Sequence, residues 1–158
     1  MEEASRKARR LIEDTRYMTI ATADISGKPW NSPVFFVCDE RFTLYWVSFI
    51  DAVHSINIRV RPQVAITILG TSPDHYGDGV YIDAEAVELN DVCEAERAIE
   101  VLRKRPQETK FTVNSSADVL GTAVWRVYKA IPKEVYKRSD EDVVVEGQYI
   151  TTRVKVLL

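Results

Sequence analysis

Two cysteines and two histidines are all that this 158-residue chain offers to thiol chemistry or to soft metals. Cys38 and Cys93 make neither a disulfide framework nor a zinc quartet. His54 and His75 are too few and too poorly spaced for a zincin or a three-histidine site, so no metal is expected. No apolar run approaches the roughly 20 residues that span a bilayer, and the opening Met-Glu-Glu does not read as a signal peptide. Charge of one sign is missing as well. The 21 basic and 24 acidic residues leave a net −3, which argues against broad nucleic-acid binding while allowing one small anion pocket. There is no glycine-rich dinucleotide fingerprint, no P-loop and no serine in a nucleophile elbow. The expectation is a soluble, cytoplasmic, single domain over residues 1–158. If it is an enzyme, a cofactor supplies the reactivity.

What is present is ordinary globular composition, 46% hydrophobic and 28% charged. Ala4, Ala8, Leu11 and Ile12 mark one face of a helix over residues 2–14. From Tyr17 the period changes to that of strands. Tyr17–Ala23, Val34–Cys38 and Phe42–Val47, separated by turn formers, read as an antiparallel meander. These strands are apolar on both faces. One face then lines a barrel interior, and the other lies under a helix or a second subunit. Ser48–Arg61 reads as a helix stopped by Pro62, and Val64–Leu69 as the fourth strand. Residues 70–79 form a glycine-punctuated loop, and Val80–Leu89 is the fifth strand with a phase slip, a candidate bulge, near Ala84–Ala86. Asp91-Val92-Cys93-Glu94 resembles a capping box opening a helix with Val92, Ala95, Ile99 and Leu102 on one face and Pro106 as the stop. Thr122–Ile131 is a long strand, Pro132 turns the chain, and Tyr149–Val156 alternates as a last strand. Six or more short strands with two or three helices fit a mostly β, six-stranded antiparallel split barrel with flanking helices.

The informative stretch is Trp46–Ile58, where a strand runs straight into a helix. His54, Asn57 and Arg61 fall on one polar face, and Val53, Ile56 and Val60 on the face expected to be buried. A helix N-terminus with Ser48 and a cation within one turn can hold a phosphate. On spacing alone the same residues also read as ordinary capping by Ser48 and Asp51, with His54 facing water.

Residues 17–69 resemble the pyridoxamine 5'-phosphate oxidase-like family of flavin-binding split barrels. The resemblance is carried by Met18-Thr19-Ile20-Ala21-Thr22, by Gly27-Lys28-Pro29 before Ser32-Pro33-Val34-Phe35-Phe36-Val37, and by Leu44-Tyr45-Trp46-Val47-Ser48. Asp51, His54-Ser55 and Asn57 on the helix, then Pro62-Gln63-Val64-Ala65-Ile66, continue it. It implies a homodimer with FMN between the subunits and flavin hydride transfer on a small molecule. Ser32, Pro33, Val34 and Phe35 would lie along the isoalloxazine, and Ser48, His54, Ser55 and Asn57 at its phosphate end. His54 stands where a phosphate-binding lysine is common, and Val53 where vitamin-processing members carry arginine. A charge-assisted contact is worth about 1.5–3 kcal/mol, so its loss weakens binding roughly ten-fold or more, unless the phosphate raises the histidine pKa. No arginine-rich substrate site is evident near the C-terminus, so oxidation of pyridoxamine phosphate itself is not expected.

Two other readings keep the barrel. One is a deazaflavin-dependent reductase; the other is a non-enzymatic cofactor-binding or sensory dimer with a weakened phosphate site. A haem-handling protein ranks third, since two histidines give little ligand choice. Phe35, Phe36, Trp46 and Trp125 read as core or dimer residues, and Trp30 as loop-edge packing or a flavin cover. His75 and Tyr76 read as surface residues, Tyr136 as an aromatic close to the ring, and Arg153 and Lys155 as a solvated pair. Cys38 and Cys93 read as small buried hydrophobes.

Overall fold

The computed structural model describes residues 2–75, 77–105 and 112–158, so Tyr76 and Pro106 lie outside the described residues. Strands β1 (Tyr17–Ala23), β2 (Pro29–Phe35), β3 (Val37–Cys38) and β4 (Leu44–Phe49) lead into helix α2 (Val53–Val60), after an opening helix α1 (Glu2–Asp14). Then come β5 (Gln63–Leu69), β6 (Gly79–Glu88), α3 (Val92–Arg103), β7 (Trp125–Arg138), the hairpin β8 (Val143–Val145) and β9 (Gln148–Ile150), and β10 (Arg153–Val156). Eight strands form one curled antiparallel sheet in the order β2-β1-β5-β6-β7-β4-β3, with β10 also on β7. This is the mostly β split barrel expected, with eight strands in its main sheet rather than six. The sheet stays open between edge strand β2 and the β4–β3 end.

Inward-facing Met18, Ile20, Ile66, Ile68, Ile82, Leu44 and Trp46 fill the barrel together with Ala8, Leu11 and Ile12 of α1. Each such large side chain contributes about 1.5–3 kcal/mol on burial. Trp46 stacks on Tyr128 with centroids 5.5 Å apart. A second core lies on the outer side of β4 and β7, where Ala95, Ala98 and Ile99 of α3 cover Val127, Val47 and Tyr45. Both faces of β4 are therefore covered, one by the interior and one by a helix. Asp91 opens α3 as expected, its carboxylate accepting from the Glu94 N–H at 2.9 Å.

Several sequence expectations need correction. Pro132 does not turn the chain: β7 runs through it, and the register shifts between Asp83 and Ala84, where Pro132 faces Ala84. A bulge tolerates a residue without an N–H. This irregularity accounts for the phase slip in the β6 sequence near Ala84–Ala86. Tyr149–Val156 is not one strand, because a turn at Gly147 (φ 79°) pairs β9 with β8 and only β10 joins the main sheet. Val92 and Cys93 are exposed, on the outer side of α3.

Candidate functional site

Helix α2 is shorter than expected and presents the opposite face. Ser48 belongs to β4, and the helix begins at Val53. His54, Ser55, Asn57 and Ile58 are buried, whereas Val53, Ile56 and Val60 are 43%, 45% and 49% exposed. The polar side turns inward because it finds partners on strands distant in sequence. Asn57 Nδ2 donates to Thr22 Oγ1 at 3.0 Å, and the Ser55 hydroxyl donates to the Phe49 carbonyl at 2.9 Å. Neither Ser48 nor Asp51 caps the helix: its N-cap is Ala52, with no side-chain cap bond.

His54 lies across the open seam of the barrel. Its Nδ1 is 3.1 Å from Ser32 Oγ on β2, and its Nε2 is 2.8 Å from Ser48 Oγ on β4. Trp30 Nε1 donates to the same Ser32 hydroxyl at 3.0 Å. His54, Ser32 and Ser48 are all buried, so the reading of His54 as water-facing falls. Burial alone pushes the His54 pKa below its ordinary value, with no charged group contributing. The ring is thus neutral at pH 7, with one donating and one accepting nitrogen. The indole, the two hydroxyls and the imidazole then bring four hydrogens to three links. One hydroxyl hydrogen, on Ser32 or on Ser48, is left over.

The nearby cations are already engaged. Arg59 binds the Ile50 carbonyl and Glu88, Arg61 the carbonyls of Asp24 and Ile25, and Arg126 Glu88. The first helical bond of α2 runs from Ile56 N–H to the Ala52 carbonyl, which leaves the amides of Val53, His54 and Ser55 without helical partners. The donors present thus fit a phosphoryl group held by neutral hydrogen bonds and amides, without a cation.

The structure brings Ser32, Ser48 and His54 together. It puts Val34 in the core, leaves Pro33 exposed, and packs Phe35 edge-on against Tyr17 at 5.8 Å. Ser55 and Asn57 are spent on internal bonds that fix α2. Sequence reasoning missed Thr22 and gave Trp30 no polar role. The spacing of Trp30 and Ser32, two apart on one strand face, was a usable signal. Trp46 Nε1 is buried without a hydrogen-bond partner among the described residues.

Residues 4–130 match the model of the pyridoxamine 5'-phosphate oxidase family. No curated protein matches the sequence significantly. Among solved structures, a Bacteroides thetaiotaomicron protein assigned provisionally to 5-nitroimidazole antibiotic resistance superposes with a TM-score of 0.65 at 16% identity, over 84% of this chain and 82% of that one. A heme storage protein from Vibrio cholerae gives 0.61 at 15% identity, over 84% and 92%. An F420 reductase gives 0.60 at 15% identity, over 80% and 94%. At these identities the likeness speaks of the fold alone. Among the described residues, no helix is long and apolar enough to cross a membrane, and no cluster of ligands could hold a metal.

Proposed function

From a chain that belongs to the pyridoxamine 5'-phosphate oxidase family, we infer an FMN-binding oxidoreductase that works as a homodimer on a small molecule. The observation that carries this reading is the convergence of Ser32, Ser48 and His54 across the seam between β2 and β4. When bound, the flavin supplies hydride transfer to or from the substrate. The chain's own part is to hold and orient it. Ser48, His54 and the first-turn amides of α2 take the phosphoryl end, while the backbone of Ser32–Phe35 on edge strand β2 faces the ring. Asn57 and Ser55 keep α2 at the seam through Thr22 and the Phe49 carbonyl.

Protonation of His54 strengthens this cradle. With both ring nitrogens donating, Ser32 and Ser48 both accept, and both hydroxyl hydrogens become free for an anion. Affinity for a phosphorylated flavin therefore rises as pH falls. The exposed stripe of Val53, Ile56 and Val60, continued by Phe49 (41% exposed), supports a second copy of the chain as its cover.

The test is an FMN titration of the purified chain, read by visible spectrum and flavin fluorescence. A saturable change is expected, and S48A weakens it roughly ten-fold, the worth of one strong hydrogen bond. No response to FMN removes the reading. A second reading, a dimer without redox activity, is favoured by one specific feature: the seam cluster satisfies most of its own hydrogen bonds. Binding of FMN without turnover by any reductant would support it.

A further inference from the structure

The hairpin β8–β9 pairs with no strand of the main sheet. Its Val143, Val144, Val145, Tyr149 and Ile150 are all exposed, Tyr149 by 79%. A turn at Glu146 (φ 50°) and Gly147 (φ 79°), closed by the Val145–Gln148 pair, fixes it as a two-residue hairpin. Successive valines of β8 point to opposite faces. The arm is therefore apolar on both sides, the pattern of a strand that is covered above and below. Two strands alone in water are marginally stable at best.

The base of the arm, by contrast, is anchored. The Ser139 N–H donates to the Thr152 carbonyl at 2.8 Å, and the Thr151 hydroxyl donates to Asp142 Oδ1 at 3.2 Å. Asp140 is held at 2.7 Å by the fully buried Lys137 and at 2.7 Å by Lys7 of α1. Lys137 also binds Asp78 at 2.7 Å, which ties the base to the loop after β5. A fixed base thus aims the arm. From Ser139 to Thr152 the chain has the carboxylates of Asp140, Glu141, Asp142 and Glu146 and no cation. With Asp140 paired, the other three have no ion-pair partner among the described residues.

We propose that two copies of this chain exchange these arms, the β8–β9 hairpin of each lying along the α2 stripe of the other. The stripe supplies what the arm lacks. Phe49, Val53, Ile56 and Val60 are exposed. At their end Arg61 donates to the carbonyls of Asp24 and Ile25, which draws the turn bearing exposed Ile25 and Lys28 to the end of the helix. Neither Arg61 nor Lys28 has a carboxylate partner among the described residues. Uncompensated cations border the stripe, and uncompensated acids border the arm.

Area decides between a second copy and a foreign partner. The arm offers on the order of 500 Å² of apolar surface, the size of the largest patch on an ordinary monomer. A stable interface takes about 800 Å² from each partner, so one arm on a foreign protein falls short. In a two-fold exchange each copy gives one arm and receives another, and contributes roughly 1,000 Å². The exchange rests on the homodimer inferred above and names the element that covers its stripe; no flavin is needed for it.

Sedimentation velocity over a concentration series gives the dimer dissociation constants of the full chain and of Y149D. Alongside it, two single-cysteine chains, V144C and I56C, each also carrying C38S and C93S and one of them lengthened by a short tag, are mixed, oxidised and run on a gel without reductant. Wild type is expected to dimerise, less tightly as salt is raised, and Y149D to dimerise at least ten-fold more weakly with unchanged melting. The mixture is expected to yield a disulfide-linked pair of one tagged and one untagged chain, well above the linkage of either chain alone. A wild-type dimer that Y149D leaves equally tight, or a mixture without that mixed pair, overturns the exchange and leaves the homodimer standing. Wild type that sediments as a monomer at every concentration overturns both.

Discussion

His54 and His75 carry the same ring in opposite settings. His54 is buried between two neutral hydroxyls, and burial holds its pKa down. His75 stands at a cavity wall with its Nε2 2.8 Å from the Asp14 carboxylate. The first ring joins two strands that the sheet leaves unpaired. The second ties the loop after β5 to the end of α1. A histidine's neighbours, more than its exposure, decide whether it serves structure or chemistry.

The widest gap between the two regions is expected in stability. His54→Ala leaves a cavity and breaks the links to Ser32 and Ser48, at a cost of about 2–4 kcal/mol in a chemical denaturation curve. A loss below 1 kcal/mol would mean that the seam does not depend on this ring. Gly70→Ala comes next. Its new Cβ meets the His75 main chain, and the forced shift costs about 1–3 kcal/mol. Unchanged melting would show that the loop is free to move aside.

The pH dependence sharpens the contrast. Because the His54 pKa is lowered on folding, the unfolded chain binds more protons between that lowered value and the ordinary 6.5. Stability is fully present above 6.5 and declines as pH falls through this window. The decline should vanish in His54→Gln. A slope that persists in His54→Gln assigns it to another group. The smallest effect is that of Asp14→Asn, about 0–1 kcal/mol, since the exposed carboxylate of Asp14 forms a solvent-screened pair with His75.

The strands were the legible part of the fold. The bounds of β1 at Tyr17 and Ala23 follow from its apolar run and the turn formers after it, and the Asp91 cap from its own spacing. Helix α2 was legible in position and misread in orientation. Its apolar stripe of Val53, Ile56 and Val60 has the period of a buried face, yet the partners of the polar face lie on β1, β2 and β4, out of reach of any local pattern. The unbroken alternation of Tyr149–Val156 likewise concealed the switch from hairpin to main sheet. Ser48 and His54 of the seam stood out from the strand-to-helix spacing, and Ser32 from the family resemblance. Asp14 and His75 were not joined in advance, since they are 61 positions apart and meet only when the loop after β5 folds back on α1.

The central claim is that the seam between β2 and β4 holds the phosphoryl end of a flavin. Its most direct test is the dissociation constant of FMN, measured by fluorescence at a series of pH values for wild type and for His54→Gln. Wild type is expected to bind saturably and more tightly as pH falls, and the variant to bind more weakly with that dependence gone. Wild type that leaves FMN fluorescence unchanged at every pH, or a variant that binds with the same affinity and the same pH profile, would contradict it.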